Sequence, residues 1–437
     1  MQTEAARPQR PWGWACIWGL ALGVLFFSSY NTVNSFTAQR SDVGVYVLAW
    51  ERYIPFLAWT IVPYWSIDFL YGIALFASRS KAELFRLGKR LLAAQVICIS
   101  GFLLWPLHFS FQRPDSDGLF GAMFDALAGF DLPYNQAPSL HICLLVVLWR
   151  HYSDLAGHSV WRWLLHGWFA LIAVSVLTTW QHHSIDLLTG FWAGALCLLV
   201  VPDQQASWRW RGAQPGRLRL GAFYLLGALL AAATGAVLFP AVAAWLFYWL
   251  AAALGFVAVI YFAGEPAHFG KQGARMPWRS WMALGPYLLG ARLNAWLWTR
   301  KLPVGSAVGD GVFLGRQPDA AQLQAQGVAT VIDLCAELPL PATPAAYESH
   351  PQLDLLPPDA AALARAAQAI DAARQHGPVW VCCALGMSRS AAAVVAWLIR
   401  HRQHTLEEAL ARVRAARPQV VLSAAVLATL AGLATRP

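Results

Sequence analysis

Two groups of residues have the types and spacing that chemistry requires. In VWVCCALGMSRSAAAVVAW, residues 379–397, the thiol of Cys383 lies six positions before the guanidinium of Arg389. An apolar strand leads into the turn and an apolar helix leaves it. Backbone N–H groups of such a turn, together with the helix N-terminus, cradle an anion. Gly386 permits the tight turn. The same field stabilises a thiolate at Cys383. Arg389 can reach back to two phosphate oxygens, and Ser390 can hydrogen-bond the sulfur when it departs. This pattern suits a phosphocysteine intermediate.

The second group is spread over three short motifs: QRPD with Arg113, APSLHIC with Ser139 and His141, and QHHSIDLLTG with His182 and Asp186. His182 and Asp186 are four apart and share a face if a helix begins there. The carboxylate can then hold the imidazole in one tautomer. An oriented imidazole can attack phosphorus, and His141 can protonate the leaving oxygen. Arg113 can bind phosphate oxygens in bidentate fashion, with Ser139 adding a hydrogen bond.

The elements that must position these groups differ in kind. The chain is 58% hydrophobic and 13% charged, far from an ordinary soluble domain. The net charge of +9 does not indicate nucleic acid, because the basic residues fall mainly between apolar blocks. A bilayer core needs roughly 20 apolar residues per helix. Eight segments qualify: about 12–29, 54–77, 91–107, 137–152, 162–180, 184–202, 219–238 and 241–262. Lys and Arg concentrate in alternate connectors: Arg7 and Arg10, then Arg79 to Arg90, then Arg150 and Arg162, then Arg209 to Arg219. By the positive-inside rule both termini are expected in the cytoplasm, and the three motifs on the other side. Seven cysteines, an odd count with no zinc spacing, argue against both a disulfide framework and a metal site. No cofactor is called for.

The expected organisation is a polytopic helical membrane domain over 1–262, a linker over 263–303 and a soluble α/β domain over 304–437. The linker interleaves Lys271, Arg275 and Arg279 with Trp278, Trp281 and Trp296, which suits a segment lying in the membrane interface. Its alternative is a ninth, broken span. In the last part, GVFLG, ATVIDLC and PVWVCC read as strands. PDAAALARAAQAIDAAR, SAAAVVAWLIR and TLEEALARVRAAR read as helices, the last with a capping box at Thr405 and Glu408.

CALGMSRS resembles the signature loop of the protein tyrosine and dual-specificity phosphatases, and the likeness spans most of 304–437, including RPQVVLS. The resemblance implies Cys383 as nucleophile, Arg389 as phosphate ligand, Ser390 as aid to breakdown of the intermediate, and Asp354 as general acid with Asp359 as fallback. Cys382 stands where that family usually has His. The three earlier motifs, over roughly residues 50–200, resemble the type 2 phosphatidic acid phosphatase superfamily, in its inositol phosphorylceramide synthase-like branch. That likeness implies His182 as nucleophile, Asp186 as its partner and His141 as acid. Two cations common in the superfamily are replaced, by Pro106 and Val176. Asp68, inside the second segment, either lines the same cavity or bonds a neighbouring helix. The whole chain resembles a bacterial fusion of the two families, placed in the cytoplasmic membrane with a lipid phosphate or phospholipid precursor as substrate. The alternative is a protein phosphatase on a catalytically silent anchor.

Overall fold

The computed structural model describes residues 10–434, apart from 130, 158–159, 204–207 and 209–213. Arg7, Arg209 and Arg211, counted above for orientation, lie outside the described residues. The chain divides into two compact units, Met1–Gln205 and Ala206–Pro437.

The described helices of the first unit are α1 (Trp12–Ala38), α2 (Ile61–Ala77), α3 (Lys81–Leu104), α4 (Gly118–Ala128), α5 (Leu140–Ala156), α6 (Val160–Thr178) and α7 (Ser184–Val200). α3 begins ten residues before the apolar segment expected there. Ser80 caps it by accepting the Glu83 N–H, and Glu83 returns the bond to Arg79 N–H at 2.8 Å. α5 and α7 form the buried centre. Gly190 and Gly194, one turn apart on α7, lie against Ile142 and Val146 of α5, where a Cβ would come within 2.8 Å. Such small residues let two backbones approach closely. At one end of the unit the carboxylate of Asp203 takes Arg90 at 2.8 Å and Arg150 at 3.3 Å. That joins the start of α3 to the ends of α5 and α7, so the start of α7, with His182 just before it, lies at the opposite end.

The second unit opens with two helices, α8 (Pro215–Leu238) and α9 (Ala243–Ala263), and a third, α10 (Trp278–Thr299). Pro286 lies inside α10. It cannot donate to the carbonyl of Met282, and the indole N–H of Trp249 on α9 takes that acceptor at 2.8 Å. The segment between α9 and α10 packs on the sheet that follows. Lys271 donates to Asp333 Oδ2 at 2.6 Å and to the Cys335 carbonyl at 2.8 Å. The buried carboxylate of Asp333 pushes the Lys271 ammonium pKa up against the opposing effect of burial.

The sheet has the order β1-β2-β5-β3-β4, with β1 (Gly305–Gly309), β2 (Val312–Arg316), β3 (Thr330–Cys335), β4 (Ala346–Gln352) and β5 (Val379–Cys383). Only β1 is antiparallel to its neighbour. The helices are α11 (Ala320–Ala325), α12 (Ala360–Ala373), α13 (Arg389–Arg402), α14 (Leu406–Ala416) and α15 (Ala424–Ala434). The three strands read from the sequence are the central ones, buried on both faces. β1 and β4 are partly exposed edge strands of small and polar residues, which carry no apolar signal. Thr405 and Glu408 form the capping box at α14.

All eight apolar segments contain helices. Among the described residues six are long and apolar enough to cross a membrane: α1, α2 with the turn before it, α3, α6, α8 and α9. α5 and α7 have 17 residues each.

Candidate functional site

β5 is buried along its whole length between β2 and β3, and it delivers Cys383 to the end of the sheet. Side chains alternate along the strand. Cys383 therefore packs with the α12–α13 layer, while Cys382 faces the other layer, against Leu323, Val331 and Leu340. Burial pushes the Cys382 thiol up, with the nearby Asp333 charge adding to it.

The chain then turns through 384–388 into α13. Gly386 has φ +71°, and a Cβ there would collide with the backbone of Gly315 and Arg316. Gly386→Ala is therefore expected to distort the loop and to reduce phosphate release at least ~100-fold, since misplacement of about 1 Å costs that much. Steady-state turnover alongside thermal unfolding tests this; a fully active variant would contradict it.

The Gly386 N–H donates to Cys383 Sγ at 3.3 Å, and Ser390 Oγ lies 3.2 Å from the same sulfur. Arg389, 2% exposed, is held from behind. It donates to both Glu337 oxygens, at 2.9 and 2.6 Å, and to the Gln352 carbonyl at 3.0 Å. Asp354 Oδ1 lies 3.2 Å from the same guanidinium. Asp354 thus joins Cys383, Arg389, Ser390 and Gly386. Asp359 instead caps α12, accepting the Ala362 N–H at 2.6 Å.

Two charged residues of this site were not singled out from the sequence. Glu337 follows β3 and is almost fully buried; burial works to raise its pKa, but the Arg389 charge outweighs that and holds it below the usual carboxylate range. The signal was an acid two residues beyond the end of a wholly buried strand. Arg417, fully buried, donates to the carbonyls of Gly386 (2.7 Å), Leu385 (3.4 Å) and Pro303 (3.0 Å). It draws the loop's carbonyls outward. Its signal was the first residue of RPQVVLS. A thiol, a guanidinium, a carboxyl and a cradle of N–H groups at one point can bind a phosphomonoester and transfer its phosphoryl group.

In the first unit, His182 Nδ1 lies 3.4 Å from Asp186 Oδ2, and its Nε2 lies 3.2 Å from Ser139 Oγ. Ser139 caps α5. His182 and Arg113 line one cavity of about 230 Å³, whose walls include Tyr30, Tyr64 and Asp131 but not Asp68. His141 stands behind that wall, stacked on Tyr64 with ring centroids 4.2 Å apart. Arg113 lies over the Phe124 ring at 4.3 Å. Two further groups bear on this cavity. Asp131 accepts from Tyr30 at 2.9 Å. His183 is held by Glu51 at 2.7 Å and touches Ser110 Oγ at 3.2 Å, tying down the 109–111 stretch that borders the cavity. Glu51 is buried; burial works to raise its pKa, but the His183 hydrogen bond helps hold it below the usual range.

Residues 312–435 match the family model described as the dual specificity phosphatase catalytic domain. Among solved structures, human DUSP28 shows 31% identity over 30% of this chain and 93% of its own, with a TM-score of 0.29. A mouse putative dual specificity phosphatase, complexed with zinc tungstate, shows 29% identity over 30% of this chain and 86% of its own, TM-score 0.29. PTPMT1 in complex with PI(5)P shows 21% identity over 30% of this chain and 95% of its own, TM-score 0.26. No curated protein matches. Residues 312–435 are a dual-specificity phosphatase catalytic domain, and the chain is a phosphatase.

Proposed function

We propose that this is a membrane-bound phosphatase with two phosphoryl-transfer sites, working in phospholipid metabolism. The cysteine site faces the cytoplasm, where thiols stay reduced, and removes phosphate from a phospholipid precursor. Cys383 attacks phosphorus as a thiolate while Arg389 and the loop N–H groups hold the phosphate oxygens. The ester P–O bond breaks, and Asp354 gives its proton to the leaving alkoxide. Water then attacks the phosphocysteine and returns a proton to Asp354. The sulfur leaves as a thiolate, hydrogen-bonded by Ser390. The products are the lipid alcohol and inorganic phosphate.

One observation carries the lipid reading. The backbone carbonyl of Asp354 accepts a hydrogen bond from Tyr261, at 3.3 Å. Tyr261 belongs to α9, a helix apolar enough to cross a membrane. The general acid is thus tied to an apolar helix rather than to an open protein surface.

The second site is His182 with Asp186, His141, Ser139 and Arg113, on the outer face. It is a lipid phosphatase or headgroup transferase acting through phosphohistidine. Its place opposite the Asp203–arginine cluster supports that side, because basic residues favour the cytoplasm. The replacement of two superfamily cations by Pro106 and Val176 favours a second reading, in which this half only anchors a protein phosphatase.

Phosphate release and labelled headgroup transfer, measured on lipid phosphates with the detergent-purified full chain, separate the two. His182→Ala is expected to lose at least ~10²-fold on its own lipid substrates while sparing those that need Cys383. Identical lipid turnover in wild type and His182→Ala would leave the anchor reading.

A further inference from the structure

A cavity of about 300 Å³ begins at Glu337, Asp354 and the loop residue Ala384, and runs between helices to Leu250, Leu254 and Gly290. That volume is at the lower end of ligand pockets, roughly 300–1,000 Å³. Its polarity is graded. At one end are the two carboxylates and the catalytic loop; at the other are leucines of α9.

Tyr224 of α8 and Tyr287 of α10, ring centroids 5.8 Å apart, also line it, as does Asn294. Tyr224 also packs against Tyr261, ring centroids 5.0 Å apart, the residue that bonds the Asp354 carbonyl. Rings with a polar tip suit the level where a headgroup meets a hydrocarbon chain.

α10 forms a wall one helix thick. Pro286, Gly290 and Asn294 recur at four-residue spacing and face the cavity. Leu289, Leu293 and Leu297 recur at the same spacing and are exposed by half or more. Leu226, Leu229 and Leu230 of α8 are likewise more than half exposed. An apolar exterior around a cavity that ends at a phosphate loop fits a bilayer neighbour and an amphipathic occupant.

We infer that this cavity holds the start of the acyl chain of the substrate, a long-chain lipid ending in a phosphomonoester. The phosphate sits on the 383–389 loop, the headgroup oxygens lie among the tyrosines, and the first methylenes run against Leu250, Leu254 and Gly290. This rests on the lipid reading of the cysteine site and adds the residues that would select the chain.

Gly290 provides the test. A Cβ there would meet nothing within 4 Å, so a side chain added at this cavity-lining position starts in open space. Leu is also the better helix former. The full-length protein in detergent is assayed on phosphatidic acids of rising chain length, in mixed micelles of fixed composition, and on a small aryl phosphate. For wild type, kcat/KM is expected to rise roughly fourfold per methylene over the first few carbons, from the free energy of burying each one. Gly290→Leu is expected to remove that rise and to cut the long-chain substrates at least tenfold. It should leave the aryl phosphate within about twofold. Leu254→Gln, which adds no bulk at Gly290, is expected to flatten the same dependence.

If both variants keep the wild-type chain-length profile, the cavity does not hold the chain and the inference falls, while lipid turnover by the wild type keeps the broader reading. An equal loss on aryl phosphate and lipids would also overturn it, since the wall would then shape the loop rather than select the chain. Should wild type release phosphate from phosphopeptides and from no lipid monoester, the lipid reading falls and takes this inference with it.

Discussion

Cys383→Ser is expected to lower phosphate release from the cysteine site by about 10⁴-fold or more, with little change in thermal stability. The groups around Sγ explain the size of the loss. The Gly386 N–H and the Ser390 hydroxyl are 3.3 and 3.2 Å away. Both can stabilise a negative charge, and neither is a base. A thiolate is a strong nucleophile with no base beside it. A serine hydroxyl, far more basic once ionised, would need a general base beside it. The substitution changes one atom in a wholly buried strand end, so the fold should survive. Phosphate release with the aryl substrate, read with the unfolding midpoint, checks both halves. Retained activity in a folded variant would remove Cys383 from the mechanism.

The second large effect is expected at Glu337. Arg389 is almost wholly buried and owes two of its hydrogen bonds to this one carboxylate. Truncation to alanine leaves a buried guanidinium with only the Gln352 carbonyl and the more exposed Asp354. Breaking one side of a buried pair costs about 3–5 kcal/mol. Glu337→Ala should therefore unfold at a clearly lower temperature and lose most phosphate binding, because the guanidinium is no longer aimed. Glu337→Gln keeps the shape and one acceptor and should fall between.

The pH dependence follows from the direction of the shift. The folded carboxyl of Glu337 is held below its ordinary value. Its contribution is then complete above the unfolded carboxyl range, about pH 4.3, and disappears as pH falls through the folded value. Wild type and Glu337→Gln should thus differ in stability at neutral pH and converge in acid. A gap that widened in acid would mean that the carboxyl, not the carboxylate, supports Arg389.

The catalytic loop was legible in the chain because it is local. Cys383, Gly386, Arg389 and Ser390 lie within eight residues, between a buried strand and a buried helix. Glu337 and Arg417 were not, since they reach the loop across 52 and 31 residues of sequence. Each looks like an ordinary charged residue until the fold supplies its partner. Asp354 and Asp359 were separated in the same way: one lands on Arg389 and the other caps a helix. β1 and β4 escaped notice because edge strands owe their place to one neighbour and need no apolar pattern. α15 was also missed, although Ser423 just before it is an N-cap whose hydroxyl accepts the Val426 N–H at 3.4 Å.

By itself the sequence determined the apolar helices, the three central strands and the phosphate loop. Those depend on composition and on spacings of a few residues, which the chain carries wherever it goes. The tertiary structure alone decided which acid meets Arg389, which arginine turns the loop's carbonyls outward, and that α8, α9 and α10 share a cavity with Glu337, Asp354 and Ala384. These are contacts between distant segments. They follow from how helices and sheet pack, and no short window of sequence contains both sides of such a contact.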